Sequence, residues 1–415
     1  MITFILIGAG QRGSDVYSDY IARFPEKAKL VAVAEPNKIR RELVGKRHGL
    51  REDQMTDDWK KLLSQEKMAD AAIISTNDFL HYEPVKCALE KGYHLIVEKP
   101  MSNKEAEISA MEELALNYPD QIFAVAHVLR YTPFFRTIKE LLDSHAIGDL
   151  ISIQHNENIG YYHMAHSFVR GNWRNSDETS PLILAKSCHD MDILLYMAGS
   201  HCKKLASFGS LKHFRKEEAP EGAAKRCLDC PHQKTCAYSA VRFYLKDIAN
   251  WPASTITDDH TEAGVLKALR DTDYGRCVYY SDNNVVDHQV TILEFENGVE
   301  ATFHLSAFTH NISRTVKLMG SLGEIRGDMD LNRLEVYHFD TEETEILDTT
   351  PKIVDHVGHG GGDDGFIEEF IDDVVCSLEG RPNAGNKTSA LLSAESHKMA
   401  FAAERARLEN RVIEL

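Results

Sequence analysis

The 415-residue sequence predicts an α/β protein: a doubly wound parallel sheet over its first 126 residues, then an α+β region on an open, mainly antiparallel sheet. Three observations carry this. Short continuous apolar runs alternate with amphipathic stretches over residues 2–126, as strands covered on both faces require. After Tyr131 the apolar residues alternate singly, as in DLISIQHNE, the period of a strand with one dry face. Asn297-Gly298 separates two such runs in QVTILEFENGVEATFHLSAF, and that dipeptide suits a tight hairpin turn.

Taken in order, ITFILI reads as the first strand, followed by a helix from Arg12, and KLVAVAE as the second, followed by a helix near 37–47. ADAAIIS and a helix near 80–91 come next, then YHLIV, a helix near 104–117, and QIFAVAH. A helix near 134–144 leads into the second region, where RTVKLMG and RLEVYHF add strands. Residues 212–286 lose periodicity and read as an insertion. HVGHGGGDDGFIEEFIDDVV reads as a glycine-rich loop feeding a helix, and SALLSAESHKMAFAAERARL as a final helix. The expected division is 1–126 and 127–415.

Net charge is −17, from 64 acidic and 47 basic side chains. Such a surface repels nucleic-acid backbones and anionic lipid, so neither is an expected partner. No run reaches the roughly eighteen apolar residues of a membrane helix, and MITFILIGAG lacks the basic start and cleavage site of a signal peptide. The expected location is the cytoplasm. Eight cysteines there read as thiols or metal ligands rather than as disulfides.

The first apolar run ends in Gly8-Ala9-Gly10-Gln11-Arg12-Gly13, which fits G-x-G-x-x-G between strand and helix. Gly8 then permits the tight turn, Gly10 lets the backbone approach a pyrophosphate, and Gly13 lets the helix pack on the strand. The helix N-terminus stabilises the phosphate charge. A plain strand-helix turn is the alternative, and Glu35 argues against it. Glu35 ends the next strand about twenty residues on, where an acid grips the adenosine ribose of a Rossmann-bound dinucleotide. A 2′-phosphate would meet like charge there, so NAD is expected ahead of NADP; Lys38, Arg40 and Arg41 follow within reach of a phosphate, but solvated helix residues are the preferred reading of them.

HLIVEKPMS sets Glu98-Lys99 between an apolar strand and a proline. Ligands of a doubly wound sheet bind beyond the carboxyl ends of its strands, so Lys99 is expected to face the nicotinamide. A partly desolvated lysine has a lowered pKa and can take a hydroxyl proton while hydride leaves the carbon. A surface ion pair with Glu98 is the alternative. With GAGQRG, AEPN, STNDFLH, EKP, HVLRYTPFF and CHDMD in place, the chain resembles the Gfo/Idh/MocA oxidoreductases over nearly its whole length. That family is named for glucose-fructose oxidoreductase and inositol dehydrogenase. The resemblance implies that Lys99 contacts substrate and assists proton transfer, and that the Lys99-Pro100 bond is cis. It implies that Ser75, Thr76, Asn77, His81 and Glu98 lie along the cofactor, with a helix-start residue that meets no ligand the alternative for His81. It also places Arg130 and Tyr131 near the pocket, where an interdomain salt bridge is the alternative. Asn77 stands where the family commonly has proline.

LILAKSCHDMDILLYMAG carries Lys186, His189 and Asp190 at the start of an apolar helix, on adjoining sides of its first turn. A neutral imidazole at His189 can exchange a proton with a substrate hydroxyl, and a purely structural histidine is the alternative. Family dehydrogenases usually have an aspartate four residues before this histidine; here it is Ala185, followed by Lys186. The base is therefore left open between Lys99, His189 and a group from elsewhere. In QHNENIGYYHMAHSFVRGNWRN, the side chains of His163, His166, Arg170, Trp173 and Arg174 suit a polyhydroxylated or anionic ligand. His163-x-x-His166 also has metal spacing, without an evident third ligand. The loop from His356 to Gly362 is expected to close over the same cleft.

Cys227-x2-Cys230-x5-Cys236 falls in the insertion, with Cys277 the best fourth ligand and His232 the second. Zinc is expected, as a staple on a segment too polar for a core of its own. An iron–sulfur cluster is one alternative, since spacing does not separate the two; a set of unligated thiols or a C-x-x-C redox pair is the other. The whole reading is an NAD-dependent oxidoreductase for CH–OH groups of a sugar, cyclitol or related molecule, self-associating through its open sheet. A glycosidase that retains NAD and eliminates its leaving group through a transient oxidation stays open, as does a non-catalytic NAD-binding regulator.

Overall fold

The computed structural model describes residues 1–351, 359–382 and 385–415. Six parallel strands form the first sheet: β1 Ile2–Ile7, β2 Ala28–Ala34, β3 Met55–Thr56, β4 Ala71–Ile74, β5 His94–Val97 and β6 Phe123–Val125, in the order β3-β2-β1-β4-β5-β6. Side chains alternate across a strand. Ile2, Phe4 and Leu6 therefore enter one core while Ile5 and Ile7 enter the other. This two-sided burial is why β1, β4 and β5 read as continuous apolar runs. The strand order reverses between β1 and β4, which opens a crevice at their carboxyl ends. Helices Lys38–His48, Tyr82–Glu90 and Glu105–Asn117 fill the expected segments. Asn37 caps the first of them, its Oδ1 accepting from the amides of Ile39 and Arg40. Strand β3 and helix Trp59–Ser64 are too short to show a period, and the sequence reading omits them.

Nine strands form the second sheet: β7 Leu150–Asn158, β8 Cys202–Ser210, β9 His288–Phe295, β10 Glu300–Ser306, β11 Ser313–Gly320, β12 Gly323–Asp328, β13 Arg333–His338, β14 Thr344–Asp348 and β15 Ile413–Glu414. Their order is β14-β13-β12-β11-β7-β10-β9-β8-β15, antiparallel throughout except between β7 and β10. Asn297-Gly298 turns β9 into β10, with Gly298 at φ +86°. One face packs Ile153, Phe303, Leu305 and Leu318 against helices Pro133–Asp143 and Cys188–Ala198. The other exposes Phe208, Val290 and Ile292.

Strands β8 and β9 are antiparallel neighbours, so the chain between them leaves the sheet and returns to it. That insertion carries helices Ala240–Tyr244 and Glu262–Asp271 around Tyr244, Ile256, Val265 and Leu269. It has a small core of its own, contrary to the expectation from its polarity. The two C-terminal helices turn back to the first half. Helix Gly362–Leu378 lays Phe366, Phe370 and Val374 on the core of Phe4 and Tyr20, while helix Ala390–Glu409 contributes to cores on both sides of the molecule. Among the described residues, no helix is long and apolar enough to cross a membrane.

Candidate active site

The glycine loop is shaped by contacts a side chain would break. Gly8 has φ +91°, and a Cβ on Gly13 would lie 2.1 Å from the carbonyl oxygen of Gly8. At Gly10 a Cβ would meet no protein atom within 4 Å, so the loop is open on the side where a pyrophosphate would approach. Ser75 is buried and its Oγ donates to the Gly8 carbonyl at 2.8 Å. Gln11 and Asn77 are exposed, with Thr76 half-buried beside Asn77. Glu35 is buried; its Oε2 accepts from Ala9 N at 2.7 Å and its Oε1 from Asn37 N at 2.8 Å. Each carboxylate oxygen keeps a further lone pair for a ribose hydroxyl. Arg41 donates to the carbonyls of Glu35 and Pro36, while Lys38, 3.6 Å from Glu42, and Arg40 are exposed helix residues.

The Glu98-Lys99-Pro100 turn is held from both ends. Glu98 faces inward, its Oε1 accepting from Arg12 Nε at 2.6 Å and from the Tyr17 hydroxyl at 2.7 Å. The surface Lys99–Glu98 pair is thus replaced by an Arg12–Glu98 pair. Arg12 also reaches Asp363 Oδ1 at 2.6 Å, which joins the glycine loop to helix Gly362–Leu378. His81 is buried, with Nδ1 3.0 Å from the Pro100 carbonyl and Nε2 3.1 Å from that of Thr76. It therefore clamps the loop and does not face a ligand. Met101 N donates to His397 Nε2 at 2.9 Å. The Lys99-Pro100 bond is cis. Lys99 itself extends to the facing wall, where its Nζ donates to the Ala185 carbonyl at 3.2 Å.

That wall is helix Leu182–Ala185 and the start of helix Cys188–Ala198. His189 is buried, its Nδ1 without a hydrogen-bond partner. Burial, and then the charge of Lys99, holds its pKa well below the ordinary 6.5, so the imidazole is neutral. His127 and His359 have ring centroids 5.6 and 6.0 Å from it. Lys186 Nζ lies 3.1 Å from Glu157 Oε1 on β7. Burial lowers its pKa, with Glu157 partly opposing. Arg314 on β11 bridges Glu157 Oε2 at 2.5 Å and Asp190 Oδ1 at 2.8 Å. Asp190 also meets His155 Nε2 at 2.8 Å. Burial works to raise its pKa, but Arg314 and His155 hold the carboxyl well below the usual range. Asp190, expected at the substrate, is thus consumed by the sheet behind it.

Other expected ligands are also placed elsewhere. Arg130 grips Asp192 through two bonds of 2.7 and 2.8 Å, and the Tyr131 hydroxyl meets Thr388, so both are interior ties. His166 shares a 2.7 Å hydrogen bond with the Tyr244 hydroxyl and stacks on Tyr274; burial pushes its pKa down to about 3. Arg174 pairs with Asp282 at 2.7 Å and Asp273 at 3.1 Å. Trp173 stays partly exposed against Phe168. Of this group His163 stands nearest the cleft: burial, then the charges of Lys186, His166 and Lys99, lower its pKa. The part of the 356–362 loop at 356–358 lies outside the described residues. Its described end brings His359 to Asp363 Oδ2 at 2.8 Å.

Arg170 is buried among the cysteines, its Nη2 3.5 Å from Cys227 Sγ. All eight cysteines are free thiols. Cys227, Cys230, Cys236 and Cys277 line one cavity of about 20 Å³. Among the described residues, however, no group of three or more His, Cys, Asp or Glu side chains stands at metal-coordination spacing, and the expected zinc site is not formed by the thiols as they stand. Glu157, Arg314, His127, Asp363 and His397 are absent from the sequence reading. Only the HGGGDDG run pointed towards Asp363; the others are single residues brought in by the topology.

The GFO/IDH/MocA oxidoreductase-family profile, an NAD-binding Rossmann fold, matches residues 2–127, and the GFO/IDH/MocA C-terminal domain profile matches residues 135–326. A protein of Bacillus subtilis (strain 168) named as oxidoreductase YteT is 24% identical over 315 residues, 73% of this chain and 72% of its own. The scyllo-inositol 2-dehydrogenase (NAD(+)) of the same organism is 26% identical over 50% of this chain and 56% of that enzyme. A 2,7-anhydro-N-acetylneuraminate hydratase of Mediterraneibacter gnavus is 24% identical over 50% and 52%. Among solved structures, levoglucosan dehydrogenase with NADH and levoglucosan shares the fold at a TM-score of 0.71 and 18% identity, over 100% of this chain and 98% of that one.

Proposed function

The chain belongs to the GFO/IDH/MocA oxidoreductase family, and from that premise we propose that it moves hydride between NAD and a carbinol carbon of a sugar, cyclitol or related molecule in the cleft between Lys99 and His189. The observation that carries the reading is the reach of Lys99 from the carboxyl end of β5 to Ala185, beside a neutral His189. NAD, when bound, supplies the hydride acceptor or donor. The loop Gly8, Gly10, Gln11, Arg12, Gly13 would hold its phosphates, Glu35 its ribose, and Ser75, Thr76 and Asn77 the next stretch. Lys99 orients the substrate hydroxyl, and His189 accepts its proton, since Ala185 offers no carboxylate. Lys186, steadied by Glu157, and His163 complete the wall. The buried Glu35 carboxylate and the engaged Arg41 support NAD over NADP.

Two further assignments belong to this reading. The exposed Phe208, Val290 and Ile292 support self-association through the open sheet face, and a structural zinc belongs at the cysteine cluster. We place the protein in the cytoplasm. The test is a panel of sugars, cyclitols and sugar acids assayed by absorbance of reduced nicotinamide, with Lys99→Met as the control that binds NAD but does not turn over. A purified chain that fails to bind NAD refutes the reading. The similarity to a hydratase favours a second reading, transient oxidation followed by elimination or hydration. Substrate consumption without net reduced nicotinamide would select it.

A further inference from the structure

We infer that Cys227, Cys230, Cys236 and Cys277 bind one zinc ion and that Arg170 couples this centre to the wall of the cleft. The inference deepens the zinc assignment above and rests on it. Local backbone bonds gather the four thiols. The short turn Cys227–Asp229 returns Cys230 N to the Cys227 carbonyl at 3.4 Å, and a second turn brings Cys236 N to His232 O at 2.9 Å. A bridge between Arg226 and Arg276, with Cys277 N donating to Lys225 O at 2.9 Å, then lays Cys277 beside Cys227.

The ligand set suits a single ion. The void lined by these thiols is about 20 Å³, a little above the roughly 10–15 Å³ that one water needs, and four cysteine sulfurs match the ligand number of a structural zinc. His232 also lines the cavity, but its Nε2 lies 2.7 Å from the Glu221 carbonyl, which leaves Cys277 as the fourth ligand. The sulfurs are not at coordination spacing as neutral thiols, and Cys227 donates to the Arg276 carbonyl at 3.8 Å. A dication that displaces the thiol protons draws the sulfurs together, since metal binding and local folding are coupled.

Charge points the same way. Arg170 is 1% exposed. Its Nε donates to Arg276 O at 2.7 Å, and its Nη2 to Tyr238 O at 2.7 Å and Cys227 Sγ at 3.5 Å. The Ala240 amide also donates to Cys227 Sγ, at 3.5 Å. A buried guanidinium needs compensating negative charge, and no carboxylate is among these partners. Zinc with four thiolates carries two net negative charges, and N–H donors aimed at a ligand sulfur are the outer contacts such a centre uses. Arg170 ends the turn Met164–Arg170, which follows directly on His163 at the cleft. Metal and cleft therefore share one short segment, with Arg170 as a positioning residue.

Metal and sulfide analysis of the full chain, purified without chelator, should give one zinc per chain and no acid-labile sulfide. Four of the eight thiols should resist a disulfide reagent until chelator is added, and cobalt exchange should give thiolate charge-transfer bands. Iron with sulfide overturns the single-ion assignment, and no bound metal after incubation with zinc overturns the site. Cys230→Ser with Cys236→Ser should lose the metal yet keep NAD affinity; a chain that holds zinc but not NAD sinks the oxidoreductase reading alone. Arg170→Gln should weaken zinc retention against a competing chelator by about 10–100-fold, with Arg170→Lys restoring part of it, and should raise KM more than it lowers kcat. Unchanged retention and KM in Arg170→Gln overturn the coupling.

Discussion

The carboxyl edge of the first sheet and the segment 161–174 were read from the sequence with equal reach, and they came out differently. At the sheet edge, the glycine loop, Glu35, Ser75 and Lys99 stand together around one crevice. In 161–174, His163 keeps to the cleft while His166, Arg170 and Arg174 are drawn to Tyr244, the cysteines and Asp282. The glycine fingerprint is a demand on the backbone, so strand, turn and helix enforce it together. A dense run of polar side chains carries no such demand. In an α-helix, positions i, i+3 and i+7 share a face, which would align His163, His166 and Arg170. Residues 164–170 instead form a π-helical turn, with bonds to i+5, and the alignment is lost.

The largest expected effect tests the sheet edge. Lys99→Met should lower kcat by roughly 100-fold or more with NAD affinity, measured by fluorescence titration, little changed; full activity would break the contrast. Gly10→Asp comes next. Its carboxylate would project into the open side of the loop against phosphate charge, and NAD affinity should fall by about 100-fold or more, the product of lost approach and like-charge repulsion.

Acid provides a test that spans both regions. His166 in the 161–174 segment and His397 behind the Lys99 turn are each held neutral by burial, with pKa values of about 3 against an ordinary 6.5. The folded state therefore binds fewer protons than the unfolded state between those values. Stability is fully present above pH 6.5 and is lost as pH falls from 6.5 towards 3. By pH 5 each histidine should remove on the order of 2 kcal/mol, read as a lower urea midpoint. The smallest effect sharpens the other side of the contrast. Arg174→Gln removes a partly exposed ion pair of a kind worth about 0–1 kcal/mol and should change KM for the true substrate less than threefold, about 0.6 kcal/mol. A large rise in KM would return Arg174 to the cleft.

What was legible in the sequence follows the same physics. The two-sided strands of the first sheet and the Asn297-Gly298 hairpin are local patterns, and each falls where expected, while the cis bond at Pro100 was implied by the family resemblance alone. The Glu157–Arg314–Asp190 network was not legible, because its members lie on β7, β11 and a helix and meet only after the second sheet has formed. Asp190 illustrates the cost: helical spacing puts it beside His189, but Arg314 from a strand 124 positions later claims it. The core of the insertion was hidden for a simpler reason, since Tyr244, Ile256, Val265 and Leu269 are too scattered to show a period.

The backward course of helix Gly362–Leu378 matters to how the protein comes into being. Phe366, Phe370 and Val374 finish a core begun by Phe4 and Tyr20, and Asp363 supplies the counter-charge to Arg12 beside the glycine turn. A ribosome that has released only the six-strand portion has therefore made a sheet with one greasy side only part-covered, by Val16, Tyr20 and Val44 but not by Phe366, Phe370 and Val374. The coenzyme crevice waits on residues translated more than two hundred positions later, so an excised amino-terminal fragment should clump rather than serve as a miniature nucleotide binder.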